Sequence, residues 1–273
     1  MTISIAWVAT RSDGREDLYF ASDSRTRGVR VLDVSPKILM LPRTDAAISY
    51  AGDTIAAYPM MLQISNAIAA HQPALERNLD IGELKKHLLR VLTDMLASVQ
   101  DFVEGFDTTD GQFLFGGYSW RSKRFRLWTF YYEKASKAFR AREVTTFNPR
   151  LKVAAFIGSF AKTYRQSLAK ALYTARDGPP VFLQPLKILA DSLRAAGPHD
   201  DIGGAPQVVR IGPHMNSRAL CVAWGEDKRS FLFGRPLFDY EHCDCWTIDP
   251  DSNQISPPRH FAFAPEGDGS SVV

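Results

Sequence analysis

Met1-Thr2-Ile3-Ser4-Ile5-Ala6-Trp7-Val8 and Tyr19-Phe20-Ala21-Ser22-Asp23-Ser24-Arg25 are the two runs whose reading decides the fold. Both are rich in β-branched and aromatic residues, and Ser12-Asp13-Gly14 between them carries turn chemistry, so they predict an opening β-hairpin. The pattern sets a threonine directly behind Met1, at the head of the first strand. Removal of Met1 would leave Thr2 with its hydroxyl and its α-amine on one residue, a nucleophile with its own base. An acidic residue, Asp23, closes the second strand, and Lys37 follows shortly after.

Outward from the hairpin, Lys37-Ile38-Leu39-Met40-Leu41 and Ala46-Ala47-Ile48-Ser49-Tyr50-Ala51 predict two short strands around a Pro-Arg-Thr-Asp turn. Gly52-Asp53 then breaks the alternation. A helix is predicted from Thr54 to His71, with Asp53 as its cap, Pro59 in its first turns and Pro73 beyond its end. Leu84, Leu88, Val91, Leu92, Met95, Val99 and Phe102 share one face of a second helix ending near Gly105. The second half repeats that order. Strands are predicted over 113–118, 125–132 and 153–157, and helices over 162–176 and 183–196, separated by Gly178-Pro179-Pro180. Further strands are predicted over 207–211, 219–224 and 230–233.

Strand blocks alternating with helix pairs do not suit a βαβ parallel sheet. They predict an α+β fold, a four-layer αββα sandwich of two stacked antiparallel sheets flanked by helix pairs. Residues 1–250 are expected to form a single domain, with 251–273, rich in Pro, Gly and Ser, as a loosely held tail.

Composition narrows the function classes. The 273 residues are long enough to bury a substantial core, and the net charge of +3 with mixed signs gives no reason to expect a nucleic-acid or membrane partner. No secretory signal and no apolar run of membrane-spanning length is visible, and the three cysteines, Cys221, Cys243 and Cys245, do not make a disulfide framework. A cytoplasmic protein is expected. Trp120-Arg121-Ser122-Lys123-Arg124-Phe125-Arg126 interleaves aromatic and basic residues, which a hairpin with one solvated basic face explains. His242-Cys243-Asp244-Cys245 lacks a second ligand pair at metal spacing and is read as a chance cluster, so neither metal nor cofactor is expected.

With that order in view, the N-terminal part resembles a proteasome β-subunit of the N-terminal-nucleophile hydrolase superfamily. The resemblance is carried by Thr2-Ile3-Ser4-Ile5, Ala21-Ser22-Asp23-Ser24-Arg25-Thr26, Pro36-Lys37-Ile38 and Ile48-Ser49-Tyr50-Ala51-Gly52-Asp53. It continues more weakly through Ala155-Phe156-Ile157-Gly158-Ser159 and Asp200-Asp201-Ile202-Gly203-Gly204, so the core match spans 2–211, and 212–250 is a strand-rich extension. Bacterial relatives of the proteasome subunit, including the ancestral-β-subunit type, are closer in style than the eukaryotic subunits.

The resemblance implies a threonine peptidase. Thr2 would be the nucleophile, Lys37 the stabiliser of its alkoxide, Asp23 the partner of Lys37, and the Gly52 amide the oxyanion donor. Ser159 would support the α-amine, Arg25 would fix Asp23 or the adjacent loop, and Thr26, Tyr50 and Thr54 would line the side-chain pocket. A free α-amine titrates at about 7.7–8.0, so a useful fraction is the base at neutral pH. The family's turn glycine is Phe160 here. Its supporting aspartate aligns with His199, or with Asp200 after a one-residue shift, and its serine aligns with Ile202. The resemblance also implies a peptide or unfolded-protein substrate and self-assembly into a ring or helical stack. It admits an ATPase partner, for which the sequence shows no docking segment. The alternatives are a catalytically inactive shell or scaffold protein, favoured by Phe160, His199 and Ile202, and a small-molecule amidase on the same fold.

Overall fold

The computed structural model describes residues 2–11, 13–28, 30–98, 111–147, 151–174, 181–241 and 243–258. The opening hairpin forms as its alternation dictates, with β1 (Ile3–Thr10) antiparallel to β2 (Glu16–Ser22) in a register that sets Ser4 against Ser22. A two-residue ribbon, β3 (Thr26–Arg27) and β4 (Val31–Leu32), leads to β5 (Ile38–Met40) and β6 (Ala46–Ala51). Helices α1 (Thr54–Ala69), α2 (Gln72–Leu75) and α3 (Ile81–Leu96) follow. Next come β7 (Gln112–Ser119), β8 (Arg124–Glu133), β9 (Ala138–Glu143) and β10 (Val153–Gly158), then α4 (Ala161–Thr174) and α5 (Gln184–Ala195). The chain continues through β11 (Gln207–Gly212), β12 (Asn216–Trp224), β13 (Arg229–Leu232), β14 (Arg235–Pro236), β15 (Thr247–Asp249) and β16 (Gln254–Ser256).

The strands make two large sheets. One is nine-stranded in the order β10-β1-β2-β11-β12-β13-β14, with β15 on β12 and β16 on β15; the other is five-stranded in the order β5-β6-β7-β8-β9. Their ladders are antiparallel apart from the parallel β12–β15 bridge.

Side-chain alternation divides the apolar residues among three cores. Ile3, Ile5 and Trp7 of β1 pack with Leu168 and Leu172 of α4 and Leu186 and Leu189 of α5. The intervening residues Ala6 and Val8 turn the other way, towards Ala47, Leu114 and Leu127 of the five-stranded sheet. On that sheet's far face, Ile48, Phe115 and Phe130 pack under Met61 and Ile64 of α1 and Leu84 and Leu88 of α3.

The helices start where local chemistry allows. Asp53 caps α1 by accepting the Ile55 amide at 3.0 Å, and Asp80 with Glu83 closes a capping box on α3. Pro59 lies inside α1 on an exposed position.

The expected elements form within a few residues of their predicted bounds. Val99, Phe102 and Gly105, together with Arg176, Gly178-Pro179-Pro180 and Ser12, lie outside the described residues. The structure adds strands that the sequence pattern does not announce, β9 and the short β14, β15 and β16 among them. In the segment read as a loose tail, β16 pairs with β15, while 259–273 lie outside the described residues. Trp120 to Arg124 make the turn of the β7–β8 hairpin, with Trp120 and Arg121 exposed. Among the described residues no helix is long and apolar enough to cross a membrane.

Candidate active site

Asp23 directly follows β2, and the hairpin register brings it back onto the start of β1. The Asp23 amide donates to the Ile3 carbonyl at 3.3 Å, and the Ile3 amide donates to Asp23 Oδ1 at 3.2 Å. This reciprocal clasp fixes the carboxylate beside Thr2. Lys37, just before β5, reaches in from the other sheet. Its Nζ donates to Thr2 Oγ1 at 2.9 Å and lies 2.9 and 3.0 Å from the two Asp23 oxygens. Lys37 and Asp23 are fully buried, and Thr2 is 1% exposed.

Burial pushes the Lys37 ammonium below the ordinary lysine range, and Asp23 opposes that shift by charge and hydrogen bonding. Burial likewise pushes the Asp23 carboxyl up, against the pull of Lys37 and of the Ile3 and Arg25 amides. Each charge offsets the other's desolvation, so neither belongs in this core alone.

A second tier holds the pair. Gln207, fully buried at the start of β11, accepts the Lys37 amide at 2.9 Å and donates to the carbonyls of Asp23 at 3.2 Å and Ser35 at 2.6 Å. Arg25 turns away from Asp23 and forks onto Asp33, with Nε–Oδ1 at 2.6 Å and Nη2–Oδ2 at 2.8 Å. Its Nη1 donates to the carbonyls of Gly197, Asp200 and Ile202, which ties the loop before β11 to the end of β2. Gly203 is needed there, because a Cβ would meet the Arg25 guanidinium at 2.3 Å.

The remaining expected residues divide into those near Thr2 and those apart from it. Gly52 sits at the β6–α1 junction with φ +120°, a conformation that favours glycine. Gly158 pairs with Ile3 at φ +101°; a Cβ there would meet the Thr2 carbonyl oxygen at 1.8 Å and the Ala51 methyl at 3.3 Å. The ends of β1, β6 and β10 therefore converge on one point, with Ser159 next in the chain and exposed.

Thr26 and Thr54 are half-buried on β3 and at the start of α1. Tyr50 is fully buried in the core under α1, its hydroxyl pushed up to about 12 by burial against the opposing pull of the Thr54 side chain, so the structure does not bring it to an open pocket. Asp200 contributes its backbone carbonyl to Arg25, while its carboxylate accepts the Gly197 amide at 2.7 Å. His199 is exposed and accepts from Arg27, and Ile202 is core.

Sequence reasoning missed Gln207, Asp33 and the direct role of Gly158. Gly158 carried a signal, as a glycine ending a strand in the segment that resembles the family. Gln207 carried none. Nor does cavity size mark the site: a cleft of about 750 Å³ lies between β8–β9 and α4, lined by Tyr131, Arg142, Phe156 and Arg165, and is not lined by Thr2, Asp23, Lys37 or Gly52.

The arrangement is a buried hydroxyl receiving a hydrogen bond from a lysine that a carboxylate holds in place. Set against solved structures, the chain superposes on Anbu (ancestral beta-subunit) from Yersinia bercovieri with a TM-score of 0.55, covering 80% of this chain and 86% of that one at 16% sequence identity. The fold is proteasome-like. No family model matches the sequence, and no curated protein matches it. At that identity the likeness speaks for the fold, and the chemistry rests on the residues themselves.

Proposed function

We propose that this chain is an N-terminal-nucleophile hydrolase, a threonine peptidase whose nucleophile is Thr2 after removal of Met1. The observation that carries this reading is the 2.9 Å hydrogen bond from Lys37 Nζ to Thr2 Oγ1, with Asp23 on the same ammonium. Lys37 is the donor in that bond, so it acts on the oxygen as a stabiliser of negative charge, and the base must be another group. The freed Thr2 α-amine supplies it.

In this mechanism Thr2 Oγ attacks the peptide carbonyl while its proton passes to the α-amine. The Gly52 N–H stabilises the oxyanion, and the α-ammonium returns the proton to the departing amine. Water, deprotonated by the same amine, then hydrolyses the acyl ester. Asp23 positions Lys37, while Arg25 and the Asp200 carbonyl brace the loop around Asp23. In this reading Ser159 supports the α-amine, and Thr26 and Thr54 line the substrate side-chain pocket. No cofactor takes part.

The three cores support a four-layer αββα sandwich in one unit over 1–250. The same reading extends to a cytoplasmic homo-oligomer, a ring or stack that encloses the sites around peptide or unfolded-protein substrates and admits an ATPase as feeding partner.

The test combines intact mass with a peptide epoxyketone, a probe that needs a hydroxyl and a free α-amine on one residue. Loss of Met1 and a covalent adduct on Thr2, absent in Thr2→Ala and Lys37→Ala, is the expected result. Full retention of Met1 would sink the mechanism. Phe160 in place of a turn glycine favours a second reading, an inactive scaffold. A free Thr2 that takes no adduct would establish that reading. An adduct accompanied by turnover of small acyl amides but not peptides would point to an amidase.

A further inference from the structure

We propose that Cys221, Cys243 and Cys245 form a three-thiolate zinc site that pins the Cys243–Cys245 segment onto β12 of the nine-stranded sheet. The sequence shows Cys243-Asp244-Cys245 as an isolated pair, because the third ligand lies 22 residues upstream of Cys243. The fold supplies it. The Cys221 amide donates to the Trp246 carbonyl at 2.9 Å, and Cys221 pairs with Thr247 across the parallel β12–β15 bridge. That bridge lays the Cys-x-Cys segment over Cys221, and the three Sγ atoms lie within 4.8 Å of one another.

The surroundings fit a structural metal. Cys221 is 2% exposed, and Cys243 and Cys245 are half-buried at a cleft of about 400 Å³ that Asp239 and Glu241 also line. Three thiolates are a soft donor set that selects zinc over magnesium or calcium, and the fourth position falls to water. Among the described residues, 237–241 have few side-chain contacts of their own. Their large aromatics Phe238 and Tyr240 are 54% and 74% exposed, and their main polar brace is the fork of Arg235 on Glu241, at 2.6 and 2.7 Å. A loop that buries so little apolar surface gains most from a metal staple.

With Zn–S bonds of about 2.3 Å, tetrahedral thiolates stand roughly 3.8 Å apart. Cys243 and Cys245 are 2.6 Å apart here, so binding requires one of these half-buried side chains to turn outward by about 1 Å. Each cysteine enters as a thiolate, and its proton is released to solvent.

The test uses the full chain, purified without chelator and with reductant, then incubated with zinc alone and dialysed. The expected result is one zinc per chain by elemental analysis. Cobalt substitution should give a thiolate-to-metal charge-transfer band, and zinc should protect all three thiols from alkylation. Cys243→Ser and Cys245→Ser, on the half-buried loop, should each weaken zinc binding by more than about 100-fold, beyond the loss of an outer-shell partner. Cys221→Ser should do the same, and thiol protection in the unmutated chain carries the test should that variant fail to fold. A chain without zinc after loading, zinc retained in the loop variants, or a Cys243–Cys245 disulfide that persists under reductant would each overturn the proposal.

Discussion

Gln207 accepts the backbone amide of Lys37 at 2.9 Å, a bond between residues 170 positions apart that joins the start of β11 to the lysine of the candidate site. The same side chain donates to the carbonyls of Asp23 and Ser35, so one buried amide sets both members of the ion pair. Gln207→Leu keeps the volume and removes all of these bonds. Each buried group left unpaired costs about 1–3 kcal/mol, so the variant should unfold at clearly lower denaturant. If Gln207 positions Lys37, epoxyketone labelling of Thr2 should slow in protein that is still folded, as checked by near-UV circular dichroism. Labelling at the normal rate would reduce Gln207 to a structural residue.

Gly158 makes a sharper steric claim. An alanine there sets its Cβ 1.8 Å from the Thr2 carbonyl oxygen, and φ +101° adds a strain of about 1–3 kcal/mol. The strands β1 and β10 must part at their joined ends. Gly158→Ala should lower the melting temperature and abolish labelling of Thr2, whereas Ser159→Ala, one residue on and exposed, should leave the melting temperature unchanged. Equal melting temperatures for Gly158→Ala and the unmutated chain would contradict the close approach.

Lys37 and Asp23 must be removed together or not at all. Lys37→Met leaves the Asp23 charge buried against amide donors alone, at a cost of about 3–5 kcal/mol. Asp23→Asn in the same chain removes that uncompensated charge and should restore part of the loss. Neither variant should label with the epoxyketone, since both lack the ammonium on Thr2 Oγ1. Urea unfolding of the two single variants and the double variant gives the coupling directly. Additive losses would mean that the pair does not interact.

How much of this was legible in the sequence follows from what each residue does. Thr2, Asp23 and Lys37 were readable because their order along two strongly alternating strands carries the family resemblance, and the hairpin register makes that order a place in space. Gln207 sits before Val208-Val209 as one amide in an apolar strand, and nothing local distinguishes it from a surface residue at a strand start. The strand β9, Ala-Phe-Arg-Ala-Arg-Glu, has Phe139 as its single buried side chain, so its alternation is too weak to read. Tyr50, expected to line a pocket, falls on the helix side of its strand by the period-two alternation. It points from β6 towards α1, while its neighbours Ala47 and Ala51 face the other sheet. The cysteine cluster depends on a parallel bridge between strands that spacing alone does not reveal.

The Arg25–Asp33 fork gives a pH dependence with a definite sign. Hydrogen bonds from Arg25 hold the Asp33 carboxyl below its ordinary value of 3.8. A depressed folded value means that the stabilisation is fully present above 3.8, and it is lost as pH falls through the folded value and the carboxylate takes up a proton. Asp33 is 42% exposed at its side chain and Arg25 is 8% exposed, so solvent screens one end of the pair and the effect is modest. Asp33→Asn should therefore be less stable than the unmutated chain at about pH 6, and the gap should narrow as pH falls through the depressed folded value and the Asp33 carboxylate takes up its proton. Because Arg25 also gathers the Gly197, Asp200 and Ile202 carbonyls, the same variant at about pH 6 should loosen the loop before β11, read as faster amide exchange there. A stability gap that stays constant across that range would show that Asp33 is not ionised against Arg25 in the folded chain.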